Sequence, residues 1–211
     1  MMWTMTNIKA YSLLVLYFNT AAGSVNVESD TSKANEYLIE KWEKLYTSND
    51  FNHDGVLSMD DIKLFEKFYK DLDYLSDEHL TEIEKRMDRI WRSIMLNNTK
   101  EITKVDFTEM MKERYEADKS IFIEMIRDYI SGWCETMDLN NDSFISKEEF
   151  LTDMFASQHN DTAKDDEMFL AFNPVNGRIP VEEIINYFIR FATEKNESTS
   201  DIFETAMDTG A

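Results

Sequence analysis

Apolar side chains recur at helical spacing along the chain between residues 31 and 193. Residues three, four or seven positions apart lie on one face of an α-helix, so each such series predicts an amphipathic helix with one buried face. The clearest series are Leu38/Trp42/Leu45, Ile83/Met87/Ile90/Ile94, Phe122/Ile126/Tyr129/Trp133/Met137 and Ile184/Phe188/Phe191. The pattern predicts an all-α protein whose helices are joined by short polar segments.

Two of these polar segments share one twelve-residue pattern. They are residues 50–61, DFNHDGVLSMDD, and residues 138–149, DLNNDSFISKEE. Each has oxygen-bearing side chains at positions 1, 3, 5, 9 and 12, an apolar residue at position 8, and an amphipathic helix on either side. Ca²⁺ takes six to eight hard oxygen ligands, and alternate residues of a tight loop can converge on one ion. The pattern therefore predicts two EF-hand calcium loops.

The loop positions specify the expected ligands. In residues 50–61 these are the side chains of Asp50, Asn52, Asp54, Ser58 and Asp61 and the backbone carbonyl of Val56. In residues 138–149 they are the side chains of Asp138, Asn140, Asp142, Ser146 and Glu149 and the carbonyl of Phe144. The serines at position 9 are expected to bind directly or through water. We expect two bound Ca²⁺ ions.

Each of the two loops departs from the usual pattern at one position. Asp61 stands where glutamate is usual, and its side chain is one methylene shorter, which favours a smaller coordination shell and admits Mg²⁺. Ser143 stands where glycine is expected, and a left-handed backbone at a residue other than glycine costs on the order of 1–2 kcal/mol. We expect residues 50–61 to tolerate Mg²⁺ better and residues 138–149 to be more selective for Ca²⁺.

Two degenerate loops appear when the chain is aligned on the position-8 residue, which is expected to pair with its counterpart in a short antiparallel β contact. Alignment on Ile102 gives residues 95–106, and alignment on Ile179 gives residues 172–183. Their first positions hold methionine and phenylalanine, and a divalent cation cannot be desolvated without enough anionic oxygen to replace its water. We expect these loops to be structural partners that bind no ion.

The four loops predict four EF-hands in two pairs, residues 31–116 and 118–193. In chain order, residues 50–61, 95–106, 138–149 and 172–183 are the first, second, third and fourth loops. The first and third are intact and the second and fourth are degenerate, so each pair is expected to contain one ion site.

Composition excludes several functions. Acidic residues outnumber basic ones by 42 to 22, and the net charge of −20 repels phosphate backbones, so a nucleic-acid partner is not expected. The sequence contains no GxxxxGK[ST] motif and no glycine-rich loop that could hold a phosphate, which argues against a kinase. Cys134 is the single cysteine, so an internal disulfide is impossible, and we interpret it as a small buried hydrophobic residue.

The first 30 residues differ from the rest. Lys9 precedes an apolar run over residues 11–18, and small residues follow up to Ser24. This layout is typical of a secretory signal peptide, and the apolar run is too short to cross a bilayer. We expect residues 1–23 to be a signal peptide, 24–30 a linker and 194–211 an acidic tail. The protein would then be secreted; if the leader is retained, it would be cytoplasmic.

The order intact, degenerate, intact, degenerate resembles that of the invertebrate sarcoplasmic calcium-binding proteins and of calexcitin-like EF-hand proteins. The resemblance is carried by residues 52–56, 89–91 and 129–150, and it covers about residues 31–195. It implies a compact globular protein that binds calcium as a buffer or a sensor, without catalysis. We expect it to be a monomer.

Related families leave other functions open. One is a calcium-dependent interaction protein with an exposed apolar groove, for instance a secreted salivary or haemolymph protein. Others are an enzyme similar to juvenile hormone diol kinases and a member that binds a small hydrophobic ligand. Coelenterazine photoproteins are similar in plan but use buried histidines, whereas His53, His79 and His159 all lie in polar stretches of the sequence. Photoprotein chemistry is therefore disfavoured.

Overall fold

The structure is a computed structural model that describes residues 34–72, 75–157, 159 and 161–195. The expected signal peptide, the linker after it and all but the first two residues of the acidic tail lie outside the described residues. Within the described part of the chain, none of the helices combines the length and the apolar character needed to cross a membrane.

Helices and very short strands alternate along the described chain. The elements are α1 (Glu36–Asn49), β1 (Val56–Ser58), α2 (Met59–Lys70), α3 (Asp77–Ile90), β2 (Glu101–Thr103), α4 (Lys104–Ala117), α5 (Lys119–Met137), β3 (Phe144–Ser146), α6 (Lys147–Ala156), α7 (Thr162–Ala171), β4 (Arg178–Pro180) and α8 (Val181–Thr193). The prediction of an all-α protein with four paired EF-hands is confirmed.

The strands join the loops two by two. β1 pairs antiparallel with β2, and Leu57 lies opposite Ile102. β3 pairs antiparallel with β4, and Ile145 lies opposite Ile179. These four residues are the position-8 residues of the four loops, so an intact and a degenerate loop share each two-stranded sheet.

A π-helical segment at Trp91–Met95 continues α3. The wider turn shifts the helical phase, so Trp91 and Met95 are buried while Ile94 is half-buried. The expected apolar series therefore does not continue to Ile94 in phase. The turn also places the indole of Trp91 under the first loop, where Nε1 donates to the Ser58 carbonyl at 2.8 Å.

The two EF-hand pairs share one core. Trp42 of α1 is fully buried and donates from Nε1 to the Ala192 carbonyl of α8 at 3.1 Å. The rings of Tyr115 and Phe122 each lie 5.7 Å from the Trp42 ring. On α5, Gly132 permits a close approach to α3, because an added Cβ would lie 3.1 Å from the Ile90 side chain.

Candidate metal centres

Short Asn and Asp side chains hold the backbone of the first loop in local turns. The Asn52 side chain accepts a hydrogen bond from the Asp54 amide, and the Asp54 side chain accepts one from the Val56 amide, both at 2.9 Å. The third loop repeats both bonds at the same positions and the same distance, from Asp142 to Asn140 and from Phe144 to Asp142. These local turns arise because short Asn and Asp side chains bond to backbone amides two residues on.

The sixth position of each loop has a left-handed backbone. Gly55 has φ 84° and Ser143 has φ 64°. Both amides donate to the aspartate at position 1, Gly55 to Asp50 and Ser143 to Asp138, each at 2.9 Å. The strain expected at Ser143 is thus present in the folded loop.

The carboxylates at position 12 close the loops. Asp61 accepts from the Ser58 amide at 2.8 Å and from the Asn52 amide at 3.3 Å, and burial raises the pKa of its carboxyl group. Glu149 accepts from the Ser146 amide at 2.8 Å and from the Leu139 amide at 3.1 Å. The serines at position 9 cap the exiting helices, and each forms a capping box with the carboxylate.

One carboxylate oxygen of the first loop lacks a partner. Asp50 Oδ1 is buried and makes no hydrogen bond in the described part of the chain. The equivalent residue of the third loop, Asp138, accepts with both oxygens, from the amides of Asp142 at 3.1 Å and Ser143 at 2.9 Å. A buried, unpaired carboxylate oxygen is costly without a cation, so the first loop fits a metal ion.

The carboxylates of each loop do not converge on one point by themselves. The described residues contain no group of three or more His, Cys, Asp or Glu side chains that could hold a metal. An EF-hand site is instead completed by amide, hydroxyl and backbone carbonyl oxygens and by water. Asn52 and Asn140 lie within their loops, where their side-chain oxygens accept from the Asp54 and Asp142 amides.

In the degenerate loops, buried apolar side chains occupy the first position. Met95 and Phe172, at their first positions, are both buried. The Phe172 ring packs 5.3 Å from that of Tyr187. In the second loop the Arg114 guanidinium donates to the Asn97 side chain at 2.6 Å. An apolar side chain thus stands where an ion would need its first carboxylate.

A cavity of about 530 Å³ lies beside the first loop. Its apolar wall includes Ile130, Trp133, Met137, Met154, Met168 and Phe188. On the polar part of the wall, Tyr129 donates to Asn49 at 2.8 Å, and Asp153 is fully buried, which raises its pKa to about 7.

Trp133 has an unusual place in this wall. Its indole N–H favours ionisation of the neighbouring Tyr129 hydroxyl, although burial still raises the pKa of that phenol. Yet Nε1 is buried and makes no hydrogen bond of ordinary geometry in the described part of the chain.

Two histidines also line the cavity, which the sequence did not indicate. They are His53 and His159, and His159 Nδ1 contacts the Asp165 carboxylate. Both lie in polar sequence segments, and neither is buried: His53 is exposed and His159 is half-buried. Cys134 is buried, as expected, and lines the same cavity, where burial raises the pKa of its thiol.

Comparison with known proteins shows a relative that matches over almost its whole length. The chain is 25% identical over 175 residues to a sarcoplasmic calcium-binding protein from Mizuhopecten yessoensis, covering 82% of this chain and 99% of that protein. No protein-family model matches the sequence.

Solved structures share the fold at lower identity. A calcium-loaded coelenterazine-binding protein from Renilla muelleri matches with TM-score 0.68 and 18% identity, covering 83% of this chain and 97% of that one. A sarcoplasmic calcium-binding protein from amphioxus matches with TM-score 0.58 and 17% identity, covering 84% and 100%. The chain is similar to the sarcoplasmic calcium-binding proteins, which are EF-hand proteins, both in sequence over most of its length and in fold.

Proposed function

We propose that this protein binds two Ca²⁺ ions, one in the first loop and one in the third, and acts as a calcium buffer without catalysis. The observation that carries the proposal is the buried Asp50 Oδ1, which has no partner within a loop whose other polar groups are ordered around it. A divalent cation would satisfy this oxygen. The third loop supports the proposal by repeating the same turn geometry.

Packing favours a buffer over a sensor that opens. The apolar faces of the two pairs are buried against each other around Trp42, so exposing a groove would require the pairs to separate. Among the described residues, the exposed large apolar side chains each lie on a different segment: Val105, Ile121, Phe155, Leu170 and Val175. A dye that reports exposed apolar surface should therefore change little on adding Ca²⁺. A large increase would indicate a sensor.

Calorimetry of the metal-depleted protein tests the ion count. We expect two strong sites in the parent chain and one in each of Asp50→Asn and Asp138→Asn. Asp106→Asn is the matched control, because it makes the same change at position 12 of the degenerate second loop and should leave both sites. Three or more strong sites, or none, would contradict the proposal.

The cavity favours a second candidate function, the binding of a small hydrophobic ligand. Its volume suits a drug-sized molecule, and much of its wall is apolar. One similar structure is that of a coelenterazine-binding protein, which makes coelenterazine a reasonable first probe.

Quenching of tryptophan fluorescence by coelenterazine would test this function. Cys134→Phe should occupy part of the cavity and weaken binding at least tenfold. Leu151→Phe is the control, because Leu151 lines a separate surface groove. Equal affinity in the two variants would place the ligand outside the cavity.

We also propose that the protein is exported after removal of residues 1–23. The support is the leader pattern of the sequence alone. Amino-terminal sequencing of protein purified from its source should give a start near Gly23. A chain that retains Met1 would favour the cytoplasmic alternative.

A further inference from the structure

A guanidinium group reaches into the third loop from the neighbouring fourth loop. Arg178 lies on β4, and its Nη1 donates to Asp142 Oδ2 at 2.7 Å. The other oxygen, Asp142 Oδ1, accepts from the Phe144 amide. Asp142 is the predicted calcium ligand at position 5. Its Oδ2, the oxygen that the Phe144 amide leaves available for an ion, is already bonded to the Arg178 guanidinium.

The strand pairing builds this contact. Arg178 lies opposite Ser146 in the two-stranded sheet, and its guanidinium lies 4.7 Å from the centroid of the Phe144 ring. The side chains of Arg178 and Asp142 are 45% and 35% exposed, so water screens the pair only in part. A fixed strand register and an aromatic surface thus hold the positive charge beside the loop.

The first pair has the opposite charge at the same place. Glu101 lies opposite Ser58, in the register that Arg178 occupies opposite Ser146. Asp54 is the counterpart of Asp142, and its Oδ2 accepts from the neutral Asn52 amide at 3.0 Å. The two ion loops therefore differ in the sign of the charge that their degenerate partners present.

We propose that Arg178 sets the calcium affinity of the third loop by competing with the ion for Asp142 Oδ2. The inference rests on the proposed calcium function of that loop. Calcium binding must break the ion pair and place a dication near a guanidinium, and both effects oppose binding. Without calcium, the same guanidinium offsets repulsion among Asp138, Asp142 and Glu149.

This role has a signature that a merely structural role lacks. Arg178→Gln should raise the calcium affinity of the third loop about two- to fivefold, the range expected for a half-exposed pair. The same change should lower the melting temperature of the metal-depleted protein. If Arg178 only supported the fold, its removal would lower both the calcium affinity of the third loop and the melting temperature.

Nuclear magnetic resonance of the full ¹⁵N-labelled chain in calcium buffers can read the two loops separately. The amides of Ser143 and Gly55 are suitable reporters, because each donates to the position-1 aspartate of its own loop. Arg127→Gln is the matched control: it removes the same charge, but from a pair with Glu182 at 3.1 Å between α5 and α8. Arg178→Lys is a second variant, which keeps the charge and should change the affinity less than Arg178→Gln.

The expected result is a tighter midpoint at Ser143 in Arg178→Gln, an unchanged midpoint at Gly55, and no change at either in Arg127→Gln. If the Ser143 amide reported equal or weaker calcium binding in Arg178→Gln, the proposed role of Arg178 would be overturned, but the calcium site itself would not. No calcium response at Ser143 in the parent chain would overturn the assignment of the third loop and this inference with it.

Discussion

The phenol of Tyr69 on α2 donates a hydrogen bond of 2.7 Å to the carboxylate of Asp153 on α6. The two residues are 84 positions apart in the chain, and both are almost fully buried. The bond connects the first EF-hand pair with the second. Burial raises the pKa of Asp153 to about 7, although the Tyr69 hydrogen bond acts in the opposite direction.

We expect Asp153→Asn to stabilise the protein at neutral pH and to have little effect at pH 4. The folded-state pKa lies above the unfolded value, so the folded protein retains its proton between about pH 4 and 7 while the unfolded chain loses it. Stability of the parent chain therefore falls as pH rises through this window. Melting temperatures of metal-depleted protein against pH measure the effect.

The control for this prediction is Tyr69→Phe, which removes the hydrogen bond that lowers the Asp153 pKa. Its destabilisation should grow as pH rises above about 7, because the folded parent then carries a charged Asp153 carboxylate that the variant leaves without this donor. If the melting temperatures of Asp153→Asn and the parent differ by the same amount at pH 4.5 and 7.5, the raised pKa is excluded.

The loops and the strand register were predictable because their signals are local. Oxygen side chains at fixed spacing indicated the loops, and one apolar residue in each gave the pairing of Leu57 with Ile102. Local turn chemistry acts within a few residues, so it is readable from a single sequence. The same alignment placed Arg178 at position 7 of the fourth loop, but its contact with Asp142 required the strands in space.

The cavity could not be predicted, since it depends on how helices distant in sequence pack. The helical spacing of Trp133 predicts a core residue, and its ring does pack 4.7 Å from that of Phe65, but the spacing does not show that Trp133 also forms part of the cavity wall. His53 and His159 come to the same cavity from two loops more than 100 residues apart. Periodicity reports which face of a helix is buried, but not whether the space beside it is filled.

Ser143→Gly should stabilise the folded protein. Relief of the left-handed backbone gains on the order of 1–2 kcal/mol, and the greater freedom of glycine in the unfolded chain costs about 0.5–1 kcal/mol. The net gain, up to about 1.5 kcal/mol, should raise the melting temperature by up to roughly 6 °C. Thermal unfolding of metal-depleted protein is the measurement.

Gly55→Ser is the reciprocal test, because it places serine at φ 84° in the first loop. It should lower the melting temperature, and an added Cβ meets no atom within 4 Å there, so the effect would report backbone strain. Changes of the same sign in Ser143→Gly and Gly55→Ser would contradict the argument.

Asp61→Glu should raise calcium affinity at the first loop and reduce competition by Mg²⁺. The longer side chain can offer both oxygens to a larger coordination shell, which suits Ca²⁺ better than Mg²⁺. Competition calorimetry with and without Mg²⁺ would measure the preference, and Asp106→Glu in the second loop is the control. An unchanged preference for Ca²⁺ over Mg²⁺ in Asp61→Glu would exclude side-chain reach as its cause.

Tyr46→Phe should lower the calcium affinity of the first loop and leave that of the third loop unchanged. The Tyr46 hydroxyl lies 2.8 Å from the Gly55 carbonyl and accepts from the Leu57 amide at 3.1 Å, so it supports the first loop from the core. Cys134 stands at the equivalent position before the third loop and has no such hydroxyl. Loss of the bonds should cost about 1 kcal/mol and lower the melting temperature by roughly 2–4 °C. Equal loss of calcium affinity in both loops would contradict a local role.

Removal of calcium should lower the melting temperature strongly. Each loop packs carboxylates whose mutual repulsion opposes folding, and an ion that binds only the folded form adds RT ln(1 + [L]/Kd) to stability. At free calcium 100-fold above Kd this is about 2.7 kcal/mol per site, so two sites predict a decrease of roughly 10–20 °C in excess chelator. Scanning calorimetry in calcium and in chelator measures the difference. The double variant Asp50→Asn/Asp138→Asn should lose most of this calcium response, whereas Asp106→Asn should keep it. A melting temperature that chelator leaves unchanged in the parent chain would show that folding and calcium binding are independent.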